Sequence, residues 1–207
     1  MRRLFYIAVL TALLALPAHA LASDNVFRTV PGNPADKLAK LPIDSYSYDE
    51  ATRCLKHPQK GMLAVQSWMQ KHAGGVSWGI MRCEKWGKHS ASLHSEGRAL
   101  DWHLDVHNPS DRAEATRLID LFLAPDKNGN MHALARRMGI QELIWNCKGW
   151  FSGDGGMRPY SVCYDKNGKR IKHVDETAAH MNHVHIGLNW AGAHMKTSFW
   201  QSPLAKR

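Results

Sequence analysis

The sequence predicts a single domain of the α+β class, because strand-like and helix-like segments both occur without regular alternation. Residues 100–106 and 183–188 alternate strictly between apolar and polar side chains, which is typical of half-buried strands. Residues 61–72 instead carry apolar side chains at helical spacing. A length of 207 residues with 44% hydrophobic residues suits one packed domain and excludes a disordered, collagen-like or coiled-coil chain.

The N-terminus has the layout of a secretory signal peptide. Arg2 and Arg3 precede an apolar run at 4–16, and small residues recur at alternate positions just beyond it, as at a cleavage site. The competing interpretation is a membrane anchor, but the run is shorter than the roughly 20 residues that a spanning helix needs. We therefore expect residues 1–22 to be removed and the protein to be periplasmic or secreted, with no stable membrane span.

The net charge is positive. There are 27 Lys and Arg against 18 Asp and Glu, a balance of +9 that falls to +7 once the two leader arginines are removed. Such a balance fits nucleic acid, an anionic membrane or an acidic polymer. Export and the lack of a Lys/Arg run argue against nucleic acid, so anionic polymers of the cell envelope are the expected partners.

The remaining elements follow in order along the chain. Residues 23–52 carry Pro, Asn, Asp and Ser without clear periodicity and are predicted to form an extended N-terminal arm before a domain at 53–207. In that domain the patterns predict a helix at 61–72, a strand at 76–86, a helix beginning near Asn108, a helix at 130–138 closed by Gly139, a buried strand at 140–146, and a long loop or hairpin at 147–172.

Four cysteines, an even count in a chain expected in an oxidising compartment, indicate two disulfides. Of the three possible pairings we favour Cys54 with Cys83 and Cys147 with Cys163. The alternative is a zinc site built from four thiolates, but the sequence lacks the Cys-x-x-Cys pair that is typical of such sites. We expect the cysteines to be structural.

The predicted strand at 100–106 places Asp101 and His103 on one face and apolar residues, including Trp102, on the other. A one-sided strand normally turns its polar face to water. Taken alone, this segment therefore favours a solvated surface over a functional site, with Trp102 in the core.

The predicted strand at 183–188 changes that balance. His183 and His185 share its polar face, and His180 lies just before it. Imidazole and carboxylate are ligands that zinc accepts, and catalytic zinc typically has three protein ligands and a water. Two histidines with Asp101 would supply that set, although spacing alone does not separate His183 from His185 as the ligand.

Residues 92–101, Ser-Leu-His-Ser-Glu-Gly-Arg-Ala-Leu-Asp, resemble at every fixed position the Ser-x-His-x-x-Gly-x-Ala-x-Asp motif of a zinc superfamily. That superfamily contains the D-Ala-D-Ala carboxypeptidases, lysostaphin and murein endopeptidases. Residues 183–185 resemble its His-x-His element, with His180 spaced as in the penicillin-insensitive murein endopeptidases. The Gly-Arg-Ala-Leu-Asp-Trp context and the segment 139–146 are similar to an exported bacterial branch described as extensin-like. The resemblance covers about residues 76–188.

This resemblance implies a fold and a set of roles. The fold would be hedgehog/DD-peptidase-like, a small antiparallel sheet that carries the zinc site and is flanked by helices. His94, Asp101 and His185 would bind Zn²⁺. His183 would stand beside the metal and handle protons or stabilise the transition state, and His180 would be an auxiliary group.

The implied activity is hydrolysis of a peptide bond in peptidoglycan stem or cross-link peptides by zinc-activated water. The chain departs from the superfamily pattern at Asn182, where several members have a Glu that acts as the general base. An amide cannot be a base, so the role would pass to His183 or His180. The main alternative function is a non-catalytic cell-wall-binding module that retains the metal site, and a basic zinc- or nucleic-acid-binding protein is a further alternative.

Three other residues have two interpretations each. Arg98 is either a structural cation beside a motif carboxylate, which we favour, or a clamp for an acidic substrate. Trp145 and Trp150 precede or lie in the predicted loop and could line a substrate groove, although a buried aromatic is the commoner outcome.

Overall fold

The structure is a computed structural model and describes residues 32–206, so the predicted signal peptide lies outside the described residues. The helices α1 to α6 are, in order, Pro34–Lys37, Lys60–His72, Pro109–Leu123, Ala133–Met138, Trp190–Ala193 and Ser198–Gln201. The strands β1 to β8 are, in order, Val76–Gly79, Lys85–Gly87, Ser90–Ala91, Ala99–His103, Ile140–Trp145, Lys148–Phe151, Arg158–Pro159 and His183–Leu188. None of the helices in the described part of the chain is long and apolar enough to cross a membrane.

Six strands form one antiparallel sheet in the order β1-β4-β8-β5-β6-β7, and β2 and β3 form a separate hairpin. The two strands predicted from strict alternation, β4 and β8, are therefore neighbours in the interior of the sheet. Helices flank this sheet. The α+β class and the antiparallel sheet flanked by helices are confirmed.

One face of the sheet forms the main core with the helices. Trp102 of β4 and Ile186 of β8 belong to the same buried apolar cluster as Met69 of α2 and Phe122 of α3. The opposite face is also buried, since Asp101 keeps only 4% of its exposed area. The polar face of β4 is therefore not solvated, as this strand taken alone would suggest, because Asp101 contacts His94 and His185 there.

The helix predictions hold because their local patterns are strong. In α2 the residues Met62, Val65 and Met69 are buried at the predicted spacing. The helix α3 begins after Asn108, whose side chain accepts a hydrogen bond of 2.9 Å from the Ser110 amide, with a proline in the first turn. The helix α4 ends at Gly139, whose φ of 75° is the left-handed conformation of a helix C-terminus.

Two predicted boundaries are wrong. The strand predicted at 76–86 is two short strands, β1 and β2, which belong to different sheets. The strand predicted at 100–106 is β4, which already ends at His103. In both cases the tertiary pairing, which local pattern does not contain, sets where each strand ends. The segment 147–172, predicted as a long loop or hairpin, contains the antiparallel strands β6 and β7, so the hairpin is confirmed.

Both favoured disulfides are present, Cys54–Cys83 and Cys147–Cys163, with Cα atoms 5.5 and 5.6 Å apart. Disulfides persist in oxidising compartments, so they indicate an extracytoplasmic location. They also exclude the four-thiolate zinc site, because no cysteine of the described residues is free.

Candidate metal centre

The pairing of β4 with β8 brings two motif residues together, because Asp101 lies directly opposite His185 in the register. His94 comes from the 3-10 turn Leu93–Glu96 that leads into β4. That turn ends at Gly97, whose φ is 67°, and a Cβ there would lie 2.7 Å from a backbone oxygen before α2. The glycine of the motif is thus needed to turn the chain from His94 into the strand.

Three side-chain atoms converge at this point. The Nε2 atom of His94 lies 3.0 Å from Oδ1 of Asp101 and 3.2 Å from Nδ1 of His185. Oδ1 of Asp101 and Nδ1 of His185 are 3.1 Å apart. Ligand atoms in a tetrahedral zinc site lie about 3.3 Å apart at bond lengths of about 2.0 Å. The spacing of this buried group therefore fits a metal ion.

The hydrogen bonds on the far side of each ring also fit a metal. Nδ1 of His94 donates to the carbonyl of Ile80 at 2.8 Å, which leaves Nε2 aimed at the centre. Nε2 of His185 donates to the carboxylate of Glu142 at 2.8 Å, which leaves Nδ1 aimed at the centre. Metal-binding histidines usually have their second nitrogen fixed in this way.

The electrostatics of the group favour a cation. Burial alone would lower the pKa of His185, but its hydrogen bonds to Asp101 and Glu142 raise it to about 9. Burial would raise the pKa of Asp101, but hydrogen bonds from His185 and His94 hold it well below its ordinary value. Two carboxylates thus attract positive charge to this position, and a metal ion would displace the proton on Nδ1 of His185.

His183 and His180 lie beside the group. The Nδ1 atom of His183 donates to the side-chain oxygen of Asn182 at 2.8 Å, so its Nε2 is free to accept. That Nε2 is buried without a hydrogen-bond partner among the described residues and lies 3.4 Å from Oδ1 of Asp101. Burial lowers the pKa of His183 to about 4. The ring of His180 packs 4.7 Å from that of His183, measured between centroids.

A cleft of about 760 Å³ opens onto this group. His180, His183 and His185 form part of its floor. One wall carries Arg82 and Trp86, the latter 72% exposed, on the segment before and within β2. The opposite side is formed largely by segment 160–178. The candidate metal centre therefore borders this cleft through His185.

Sequence analysis missed three residues of the site. Arg82 donates to Oδ2 of Asp101 at 2.5 Å, and its side chain is 45% exposed. Glu142 lies in β5, a strand predicted to be buried, and Tyr48 reaches it from the N-terminal arm. A carboxylate inside a strand predicted to be buried was the one available signal. The other two are brought to the site by contacts distant in sequence.

Three expectations are resolved by burial. Arg98 is fully buried and donates to Glu96, to the Leu188 carbonyl and to the Asp49 carbonyl, so it is the structural cation and not a substrate clamp. Trp145 and Trp150 are buried in the core and do not line the cleft, so the favoured interpretation as buried aromatics is confirmed and the groove alternative is wrong. Trp102 is in the core, as predicted.

The fold and the site define an α+β protein with a buried His-Asp-His group that could hold a metal ion. A family model described as the VldE C-terminal domain matches residues 54–181, more than half of the chain. The chain therefore belongs to the VldE C-terminal domain family. The matched range contains His94 and Asp101 and ends just before His183. Comparison with curated proteins and with solved structures gave no match.

Proposed function

We propose that this protein is an exported zinc metallopeptidase that hydrolyses a peptide bond in the stem or cross-link peptides of peptidoglycan. The observation that carries the proposal is the convergence of His94 Nε2, Asp101 Oδ1 and His185 Nδ1 within 3.2 Å of one another, beside a cleft that His185 lines. Two imidazoles and one carboxylate are a ligand set of catalytic zinc sites, in which a fourth position stays open.

Zinc in such a site supplies a Lewis acid that activates water and polarises the scissile carbonyl group. His183 is the proposed proton carrier, because its unpartnered Nε2 faces the same space and Asn182 fixes its tautomer. A neutral imidazole there accepts a proton from water and returns it to the leaving amine. Asn182 thus orients the base instead of acting as one, which accounts for the departure from the superfamily pattern.

Arg82 and His180 complete the proposed machinery. The Arg82 guanidinium is half exposed in the cleft and bonded to the far oxygen of Asp101, so its remaining donors can bind a carbonyl or carboxylate of the substrate. His180 is held by a hydrogen bond of 3.1 Å between its Nδ1 and the Ala178 carbonyl, which leaves its Nε2 on the floor of the cleft. Its close packing on His183 supports a positioning role.

Three observations support the wall peptide as substrate. The predicted leader and the two disulfides agree with export. The expected charge of +7 after leader removal favours association with anionic envelope polymers. The two motifs resemble those of peptidoglycan peptidases.

The test is to measure bound zinc in the purified protein and then incubate it with defined muropeptides, with product masses read out. We expect one zinc per chain, peptide-bond cleavage, and loss of both on His94→Ala, Asp101→Asn or His185→Ala. His194→Ala is the matched control, because His194 is exposed at the end of α5 and does not line the cleft.

Two outcomes would contradict the proposal. A parent protein that binds no stoichiometric zinc would remove the metal site. A parent that binds zinc and sediments with peptidoglycan but releases no product would instead favour the non-catalytic wall-binding module. A His185→Ala variant that digests the peptides as fast as the parent would also contradict the assigned ligands.

A further inference from the structure

Glu142 is a buried carboxylate in a strand of the six-stranded sheet. It lies in the buried strand β5, and its side chain is only 9% exposed. A buried carboxylate is costly unless hydrogen bonds compensate for lost hydration. Here both oxygens are used: Oε1 accepts from Nε2 of His185 at 2.8 Å, and Oε2 accepts from the Tyr48 hydroxyl at 2.9 Å.

The fold makes room for Glu142 at this place. In the register of β5 with β8 it lies opposite Gly187. A Cβ on that glycine would lie 2.6 Å from Cγ of Glu142. The missing side chain on β8 therefore lets the Glu142 carboxylate lie over the strand and reach His185, two residues away along β8.

We propose that Glu142 and Tyr48 are positioning residues that set the metal affinity of the centre, so that the N-terminal arm is a working part of it. This inference rests on the proposed metal site. Oε1 of Glu142 accepts a hydrogen bond from Nε2 of His185, so it holds the proton of the neutral ring on Nε2 and keeps Nδ1 for the metal. Without it, the remaining carboxylate partner of His185 among the described residues is Asp101, whose Oδ1 lies 3.1 Å from Nδ1 and favours the tautomer that turns the proton toward the metal position.

Hydrogen bonds to β5 and to Arg98 hold the N-terminal arm in place, so that Tyr48 can position Glu142. The backbone of Asp49 donates to the side-chain oxygen of Gln141 at 2.8 Å, and its carbonyl accepts from the side-chain nitrogen of Gln141 at 3.1 Å. The same carbonyl accepts from the buried guanidinium of Arg98 at 2.9 Å. Gln141 adjoins Glu142 in β5, so the arm is fixed to the strand that carries the carboxylate it supports.

The charge of the neighbours agrees with this role. Burial raises the pKa of the Tyr48 hydroxyl, and the nearby Glu142 carboxylate raises it further, so the hydroxyl stays protonated and donates. The Tyr48 hydroxyl fixes Oε2 of Glu142. It thereby sets the plane of the carboxylate in which Oε1 accepts from His185.

The test compares Glu142→Ala, Glu142→Gln and Tyr48→Phe with the parent chain. Zinc affinity is measured by competition with a chromophoric chelator, and the ligand field by visible absorption after loading with Co²⁺. Tyr46→Phe is the matched control, because it removes a hydroxyl from the same arm, one that lies 2.8 Å from His132 and away from the centre. Circular dichroism of the metal-free variants checks that each is folded.

We expect Glu142→Ala to weaken zinc binding by about 10- to 100-fold and to change the Co²⁺ spectrum, since His185 can then ligate through either nitrogen. Tyr48→Phe should weaken binding by about 2- to 10-fold, as loss of one hydrogen bond does. Glu142→Gln should retain more affinity than Glu142→Ala, because an amide oxygen accepts the same hydrogen bond. Tyr46→Phe should bind zinc like the parent.

The inference is overturned if folded Glu142→Ala binds zinc within about twofold of the parent. It is also overturned if Glu142→Gln is as weak as Glu142→Ala, which would mean that charge and not orientation matters, or if Tyr46→Phe weakens binding as much as Tyr48→Phe. A parent that binds no zinc would instead refute the metal site of the proposed function, so the two failures are distinguishable.

Discussion

His183 and His185 lie two residues apart on one face of β8, but their ring nitrogens differ in their partners. Both nitrogens of His185 are engaged, one toward Asp101 and one toward Glu142. His183 has a buried Nε2 without a hydrogen-bond partner among the described residues. Sequence spacing could not distinguish the two histidines. The difference arises because β5 supplies Glu142 as a partner of His185, whereas Nε2 of His183 has no partner among the described residues.

We therefore expect opposite effects from the two alanine variants. His183→Ala should keep bound zinc but lower the turnover of a muropeptide by about 10²- to 10⁴-fold, the range for loss of a general acid–base group. His185→Ala should lose zinc itself. Metal analysis and turnover on the same preparations decide the matter. Zinc lost from the first variant and retained by the second would reverse the assignment.

Arg98 and Arg82 are a second pair that burial separates. Arg98→Ala would leave the buried Glu96 carboxylate without its partner at 2.7 Å, which costs about 3–5 kcal/mol of unfolding free energy. Arg82 is half exposed, so Arg82→Ala should cost about 1 kcal/mol or less while lowering activity. Urea unfolding of both variants measures the difference. Equal losses of stability would contradict the structural role of Arg98.

At the level of elements, the two site strands could be predicted because alternation is a local property. Residues 100–106 and 183–188 contain their own evidence for a strand and for which residues share a face. Their pairing, which sets Asp101 against His185, joins residues 84 positions apart and has no local signature. For the same reason the sequence did not indicate that Glu142 or Tyr48 reaches the site.

The close approach of β5 and the 3-10 turn to β8 depends on one small residue. A Cβ at Gly187 would lie 2.5 Å from a methyl carbon of Leu93 and 2.6 Å from Cγ of Glu142. We expect Gly187→Ala to lower the unfolding free energy by about 1–3 kcal/mol, as overpacking does, and to weaken zinc binding because Glu142 is displaced.

Thermal or urea unfolding and zinc titration measure these two effects. The matched control is Gly155→Ala, since a Cβ at Gly155 meets no atom within 4 Å. This variant should change stability by about 0.5 kcal/mol or less. If Gly187→Ala were as stable as the control and bound zinc normally, the tight packing between β8 and its neighbours would not matter for the site.

In the whole molecule, each disulfide anchors one side of the cleft. Cys83 lies between Arg82 and Glu84 in one wall, and Cys163 follows Val162 in the other. Neither bond touches the His-Asp-His group, which is held by the sheet. The disulfides therefore support the walls of the cleft, whereas the sheet holds the metal centre.

Opening the bond between Cys54 and Cys83 with a double serine variant should lower the unfolding free energy by about 3–4 kcal/mol, because the bond closes a loop of 29 residues. Turnover of a muropeptide should fall further than zinc affinity, since the wall loosens while the ligands remain in the sheet. Calorimetry, kinetics and metal titration of the variant test this. A variant with parental stability, or with zinc affinity lost before activity, would contradict the separation of wall and centre.

The distribution of charge over the whole molecule leads to a last prediction. Among the described residues that line the cleft, Arg82 is the only Lys or Arg, whereas Glu50, Glu84, Glu142 and Asp175 all contribute carboxylates. The positive excess of the chain therefore lies outside the cleft, where it can attract an anionic wall polymer but does not act on the bond that is cleaved.

Exposed charges are screened within about 8 Å at 0.15 M salt and about 3 Å at 1 M, whereas contacts within the buried centre are screened much less. Raising the salt should weaken sedimentation with intact peptidoglycan steeply and leave the turnover of a short soluble muropeptide nearly unchanged. A parallel fall of both would place the positive charge in substrate binding itself, and insensitivity of both would remove electrostatic attraction as the means by which the protein reaches the wall.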